Sequence, residues 1–145
     1  MDLAEFGDRV RFVTASAEAK GLEDRSVDAV AMGQTFHWVD PVATRTELMR
    51  GLRPGARVAL VWNAKGFGAS EFLARYEALV NEQVPEVANV RHENVGDDVL
   101  AAFFAGGYTT ETFPHQQLFD WEGVRGCVTS SSYVPKDGPV REVLV

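Results

Sequence analysis

The chain has 145 residues, of which 46% are apolar and 24% charged, and 21 acidic side chains outnumber 14 basic ones for a formal net charge of −7. The bases are 11 Arg and 3 Lys with no basic run, which argues against a nucleic-acid partner. No apolar run reaches membrane-span length, Met1–Phe6 holds no apolar signal core, and Cys127 with three His suggests neither an intrachain disulfide nor a zinc site. The expectation is one metal-free cytoplasmic domain with a sizeable core.

Taken in chain order, Arg9–Thr14 alternates polar and apolar residues and predicts a strand. Ser16–Arg25 is polar and loop-like. Ser26–Met32 is a short apolar run bounded by polar residues, as expected of a strand buried on both faces of a parallel sheet. Asp40-Pro41 predicts a helix start, with Asp as cap and Pro at the first helical position, and Leu48, Met49 and Leu52 give that helix an apolar side. Arg53-Pro54-Gly55-Ala56 predicts a type II turn in which Gly55 takes positive φ. Arg57–Asn63 follows as a second buried strand, so residues 26–63 read as a βαβ unit.

Lys65–Ala69 reads as a loop, and its Gly66-Phe67-Gly68 only superficially imitates a phosphate-binding turn, because Glu71 stands where that fingerprint has Gly or Ala. Ser70–Gln83 predicts an amphipathic helix through Phe72, Leu73, Tyr76, Leu79 and Val80. A shorter helix is expected within Gly96–Ala105, a strand over Thr109–Phe119 with Pro114 at an edge or bulge, and a helix over Trp121–Ser130 capped by Asp120. Pro135–Gly138 reads as a turn. The fold class is α/β.

Ligands of open α/β sheets bind beyond the carboxyl ends of the strands. Ser16-Ala17-Glu18, Gly33–Trp38 and Asn63–Lys65 occupy such positions. Phe36-His37-Trp38 stands out, since a surface loop has no structural need for three such side chains; a lid on the core is the competing reading.

Ser16-Ala17-Glu18, Ser26–Val30, Gln34–Asp40, Leu52–Gly55 and Leu60–Asn63 together resemble, in order and spacing, the class I S-adenosylmethionine-dependent methyltransferases. The resemblance is nearest to the methyltransferase type 11 and trans-aconitate methyltransferase-like group. Ser130–Pro135 is similar to a late stretch of such enzymes, so the likeness runs over nearly the whole chain. It implies a partial Rossmann-like sheet from the family's third strand onward, in a single domain over residues 1–145. The family's first two strands, its glycine-rich turn, its ribose-binding acid and the end of its last helix have no counterpart here. The resulting open sheet favours self-association.

By this resemblance, Ser16, Ala17 and Glu18 contact the adenine of S-adenosylmethionine, with Ser16 standing where the family has Asp. Gly33, Gln34 and Thr35 line the methionine part. His37, with an imidazole that titrates at about 6.5 when unperturbed, is the candidate general base, or else packs against the following helix. Trp38, Trp62, Asn63 and Tyr133 are candidates for the pocket of a small-molecule acceptor; each also has a reading as core or surface structure. No metal is expected. The implied reaction is in-line methyl transfer to a hydroxyl, amine or carboxylate, in which the protein supplies alignment and desolvation. The alternatives are a non-catalytic methyltransferase-like interaction module, then a nucleotide-binding protein using Gly66 and Gly68.

Overall fold

A computed structural model describes residues 7–64, 70–90 and 92–145. The chain divides into two compact units, Met1–Val61 and Trp62–Val145.

The first unit is built on the expected βαβ element. Strand β1 (Val27–Gly33) runs into a 3-10 turn (Phe36–Trp38), helix α1 (Pro41–Gly51) and strand β2 (Leu52–Val61). Asp40 caps α1 by accepting from the Ala43 amide at 2.7 Å, and Pro41 occupies the first turn, where its missing N–H costs nothing. The two strands pair in parallel from Val27↔Leu52 to Gly33↔Val61. The partner of β1 jumps from Leu52 at Val27 to Arg57 at Ala29, so Arg53–Ala56 loops out of the ladder. Gly55 takes φ +81° in that loop, as the Pro-Gly turn requires. Arg53 closes the amino end of the sheet with its Nη1, which donates to both Asp28 oxygens at 2.7 and 2.8 Å.

Several expectations fail here, each for a physical reason. Arg9–Thr14 forms no strand; Phe12 is 77% exposed and Val13 is exposed as well, because among the described residues β1 and β2 pair only with each other and no ladder reaches this segment. Nor are β1 and β2 buried on both faces. Exposed and half-buried residues alternate along Ala56–Val61, and Met32 is the buried residue of β1, so the strands behave as one-sided ribbons. The second strand ends at Val61, leaving Trp62 and Asn63 outside it. Met49 is exposed, so the apolar side of α1 is centred on Leu48 and the buried Thr44.

The second unit is helical: α2 (Glu71–Gln83), 3-10 turns at Pro85–Val90 and His92–Asn94, α3 (Asp97–Phe103), α4 (Trp121–Thr129) and α5 (Pro139–Leu144). Ser70 caps α2 through the Leu73 amide at 3.2 Å, and Asp120 caps α4 through Gly123 at 2.8 Å, the latter as read from sequence. The core gathers Val80, Val87, Val128, Val134 and Leu144 from α2, the first 3-10 turn, α4 and the C-terminal segment. Thr109–Phe119 forms no strand. It is exposed throughout, with Leu118 at 89%; Pro114 offers no amide, and among the described residues of this unit no strand offers a ladder. Helix α5, set by Gly138 at φ +88° and Pro139, lies where the sequence suggested only a turn. The Gly66-Phe67-Gly68 loop lies outside the described residues. Among the described residues, no helix is long and apolar enough to cross a membrane.

Candidate functional site

Two local conformations shape the carboxyl end of β1. Gln34 takes φ +52°, a left-handed conformation uncommon for a residue with a side chain, while its amide donates to the Val61 carbonyl at 2.9 Å. The strand direction is thus broken one residue past Gly33, with the backbone still tied to β2. The chain then turns through Phe36–Trp38, with Trp38 N–H bonded to the Thr35 carbonyl at 2.9 Å. Phe36 points inward as the buried anchor, which leaves Trp38 53% exposed. The His37 and Trp38 rings lie 5.2 Å apart, tilted by 45°.

A second wall comes from residues 15–20. An isolated bridge between Ser16 and Ala19 closes this turn. Its ends are fixed by carboxylates: Glu18 Oε1 accepts from the Asp40 amide at 3.2 Å, and Glu47 Oε1 accepts from the Lys20 amide at 3.1 Å. Both carboxyls sit below their ordinary value of 4.5. For Glu18 the main cause is its own backbone amide, followed by that of Asp40; for Glu47 it is the Arg50 guanidinium. Arg50 in turn forks onto Glu47, with Nε–Oε2 and Nη2–Oε1 both 2.8 Å, pairs with Asp24, and donates to the Leu22 carbonyl at 2.6 Å.

Between this wall and β1 lies an open cavity of about 400 Å³, lined by Ala15, Ala17, Lys20, Val30–Gly33, Thr35, Trp38 and Val39. Its size falls within the roughly 300–1,000 Å³ of small-molecule sites, and its surface is mostly apolar with few polar groups, as such sites are. Of the residues singled out from sequence, Ala17, Gly33, Thr35 and Trp38 meet in this lining. Ser16, Glu18, Gln34 and His37 flank it without lining it; Glu18 is engaged with Asp40, and the Nδ1 of His37 is shielded from solvent. Trp62, Asn63 and Tyr133 belong to the second unit. There Trp62 is half-buried, Asn63 is exposed, and the Tyr133 hydroxyl bonds that of Tyr76 at 3.0 Å, which raises the Tyr76 phenol, already disfavoured as an anion by burial.

Sequence reasoning missed Lys20, Val30, Met32 and Val39 in the lining, and Glu47 behind it. The apolar run of β1 marked its own residues as strand but not as cavity wall. The Glu47–Arg50 spacing is ordinary for a helix surface, so it carried no signal.

Residues 2–60 match the family model of the methyltransferase domain. That match covers less than half of the chain and takes in β1, α1 and most of β2. An uncharacterized methyltransferase of Mycobacterium bovis and one of Mycobacterium tuberculosis are each 52% identical to the chain over 50 residues, covering 34% of this chain and 21% of theirs. An uncharacterized methyltransferase of Schizosaccharomyces pombe is 48% identical over 50 residues, covering 34% of this chain and 20% of its own. The matched stretch therefore spans about a fifth of the length of these curated relatives. No solved structure matches. The matched segment falls within the unit that carries the cavity.

Proposed function

We propose that the first unit contributes a cofactor-binding wall for methyl transfer from S-adenosylmethionine to a small-molecule acceptor. The observation that carries this reading is the cavity at the carboxyl end of β1, whose lining holds Ala17, Gly33, Thr35 and Trp38 inside the methyltransferase segment. The residues fit the group. Ala15 and Ala17 give an apolar wall for a planar heterocycle, Thr35 offers a hydroxyl, and the half-exposed Trp38 presents an aromatic surface to a cation. Attraction of a sulfonium to an aromatic face contributes about 0.5–2 kcal/mol.

Bound there, S-adenosylmethionine would supply a methyl group already activated as a sulfonium. The protein's part is then placement. Gln34, held left-handed and tied to Val61, fixes where Gly33 and Thr35 project. Val30, Met32 and Val39 exclude water from the floor. His37 acts as proton acceptor for a hydroxyl or amine acceptor, and a carboxylate acceptor needs none.

The test is calorimetric titration of the 145-residue chain with S-adenosylmethionine and S-adenosylhomocysteine. Micromolar binding that weakens in Trp38→Ala supports the reading; silence at millimolar ligand removes it. A second reading, a non-catalytic module that associates with itself through its open sheet, is favoured by the exposure of Phe12, Val13 and Val61 beside strands that pair only with each other among the described residues. Sedimentation across concentrations, with Val61→Lys as comparison, separates the two: self-association lost in Val61→Lys supports the module.

A further inference from the structure

The wall of the cavity has no regular structure of its own. Residues 15–25 contain one isolated bridge and turns, and their order comes from α1. Three kinds of attachment run along that helix. At its start, Glu18 reaches the Asp40 amide. In its middle, Glu47 takes the Lys20 amide. At its end, the carbonyls of Arg50 and Gly51 accept from the amides of Arg25 and Ser26 at 3.0 and 2.8 Å, and the Arg50 side chain takes the Leu22 carbonyl. Asp40 and Glu47 are seven residues apart, roughly 10 Å along the helix, so the turn is pinned at two separated points.

Of these attachments, the Glu47 contact bears most directly on the cavity, because Lys20 is itself a lining residue. The Glu47 side chain is only 11% exposed, and both its oxygens are occupied by the Arg50 fork. That fork fixes the carboxylate in one rotamer, with an Oε1 lone pair left for the Lys20 amide. A bidentate Arg–carboxylate pair gives directional rigidity as well as attraction. Asp24 bonds the same guanidinium from its far side and makes none of the contacts that set Lys20.

We propose that Glu47 is a positioning residue: held by Arg50, it fixes the backbone of Lys20 and with it the Ala15–Lys20 wall against which the adenosine half of the cofactor rests. The inference rests on the cofactor reading given above and adds to it a residue that touches no ligand. Glutamate suits this position because its reach spans the gap from the helix to the loop backbone while its charge recruits Arg50. Aspartate would keep the charge and shorten the reach by one methylene.

The test compares Glu47→Ala, Glu47→Asp, Glu47→Gln and Asp24→Asn in the 145-residue chain, with S-adenosylhomocysteine and adenosine as calorimetric probes and thermal midpoints recorded alongside. Glu47→Ala and Glu47→Asp are expected to weaken both probes about tenfold, the worth of one hydrogen bond to a charged group. Glu47→Gln, which keeps the reach but loses the charge and one acceptor of the Arg50 fork, falls between the parent and Glu47→Ala, whereas Asp24→Asn, whose side chain is 76% exposed, stays within about threefold of the parent with little change in its midpoint. Should Glu47→Ala fail to fold, the shorter-reach Glu47→Asp carries the comparison. Parent binding with an unchanged Glu47→Asp overturns the role of Glu47 alone. Loss in Asp24→Asn equal to that in Glu47→Asp reduces Glu47 to a structural residue. A parent chain that ignores both probes at millimolar concentration removes the cofactor reading, and the positioning role with it.

Discussion

Thr44 offers a direct check on how the first unit is held together. It lies inside α1, is 0% exposed, and its amide bonds the Asp40 carbonyl at 2.9 Å, yet its Oγ1 has no hydrogen-bond partner among the described residues. A buried hydroxyl without a partner forfeits its hydration, which costs about 1–3 kcal/mol. Thr44→Val replaces that hydroxyl by a methyl of similar shape, and the helix propensities of the two residues are nearly equal. The methyl gains about 0.8 kcal/mol from burial, offset by up to about 1 kcal/mol if the slightly larger group crowds its neighbours. The net expectation is stabilisation by about 1–2 kcal/mol. Native-state amide exchange along α1 reads it locally: exchange at Leu48 slows roughly five- to thirtyfold. Thr44→Ser, which keeps the hydroxyl and loses the methyl, moves the other way. Faster exchange in Thr44→Val than in the parent would refute the reasoning, since it would mean that the hydroxyl is satisfied in solution.

Gly55→Ala places a side chain at φ +81° with nothing within 4 Å of the new Cβ, so its cost is backbone strain alone, about 1 kcal/mol, measurable by urea denaturation. In the second unit, Tyr76→Phe and Tyr133→Phe each remove one end of the phenol pair, and a double-mutant cycle should return a coupling of about 0.5–1.5 kcal/mol, the double variant costing little more than either single one. The lowered carboxyls of Glu18 and Glu47 set a pH dependence: groups more acidic in the folded chain stabilise it above the ordinary value of 4.5, and that contribution is lost as pH falls. The midpoint of the first unit should drop on acidification below about pH 5, with a shallower drop in Glu18→Gln/Glu47→Gln; identical slopes would assign the acid sensitivity to other groups.

What the sequence disclosed tracks the range of the interactions involved. The caps Asp40 and Asp120 and the Pro-Gly turn at Gly55 are decided within four residues of chain, and each stands as read. The βαβ element was legible because its strands pair with the nearest strand in sequence. Arg9–Thr14 and Thr109–Phe119 have strand-like patterns just as good, but pattern is only half of a strand. The other half is a partner ladder, and neither segment has one in its unit. The one-sided exposure of β1 and β2 has the same origin, since apolar runs announce a wish for cover and not its presence.

The site divides along the same line. Gly33, Thr35 and Trp38 meet in the cavity lining because a strand end and the turn after it place them locally. By the family resemblance Glu18 is a ligand-binding group, and the structure gives its carboxylate an amide donor 22 residues away. The two roles use the same property, a fixed anionic acceptor, so residue type could not separate them. Glu47 shows the converse: no local pattern marks it, and its weight comes from a loop 27 residues earlier in the chain that has no ladder of its own. A wall whose backbone holds only one isolated bridge of its own follows whatever moves its anchors. The residues that decide the shape of this cavity therefore include some that never line it, and substitutions on the inward side of α1 should alter ligand affinity before they alter the fold.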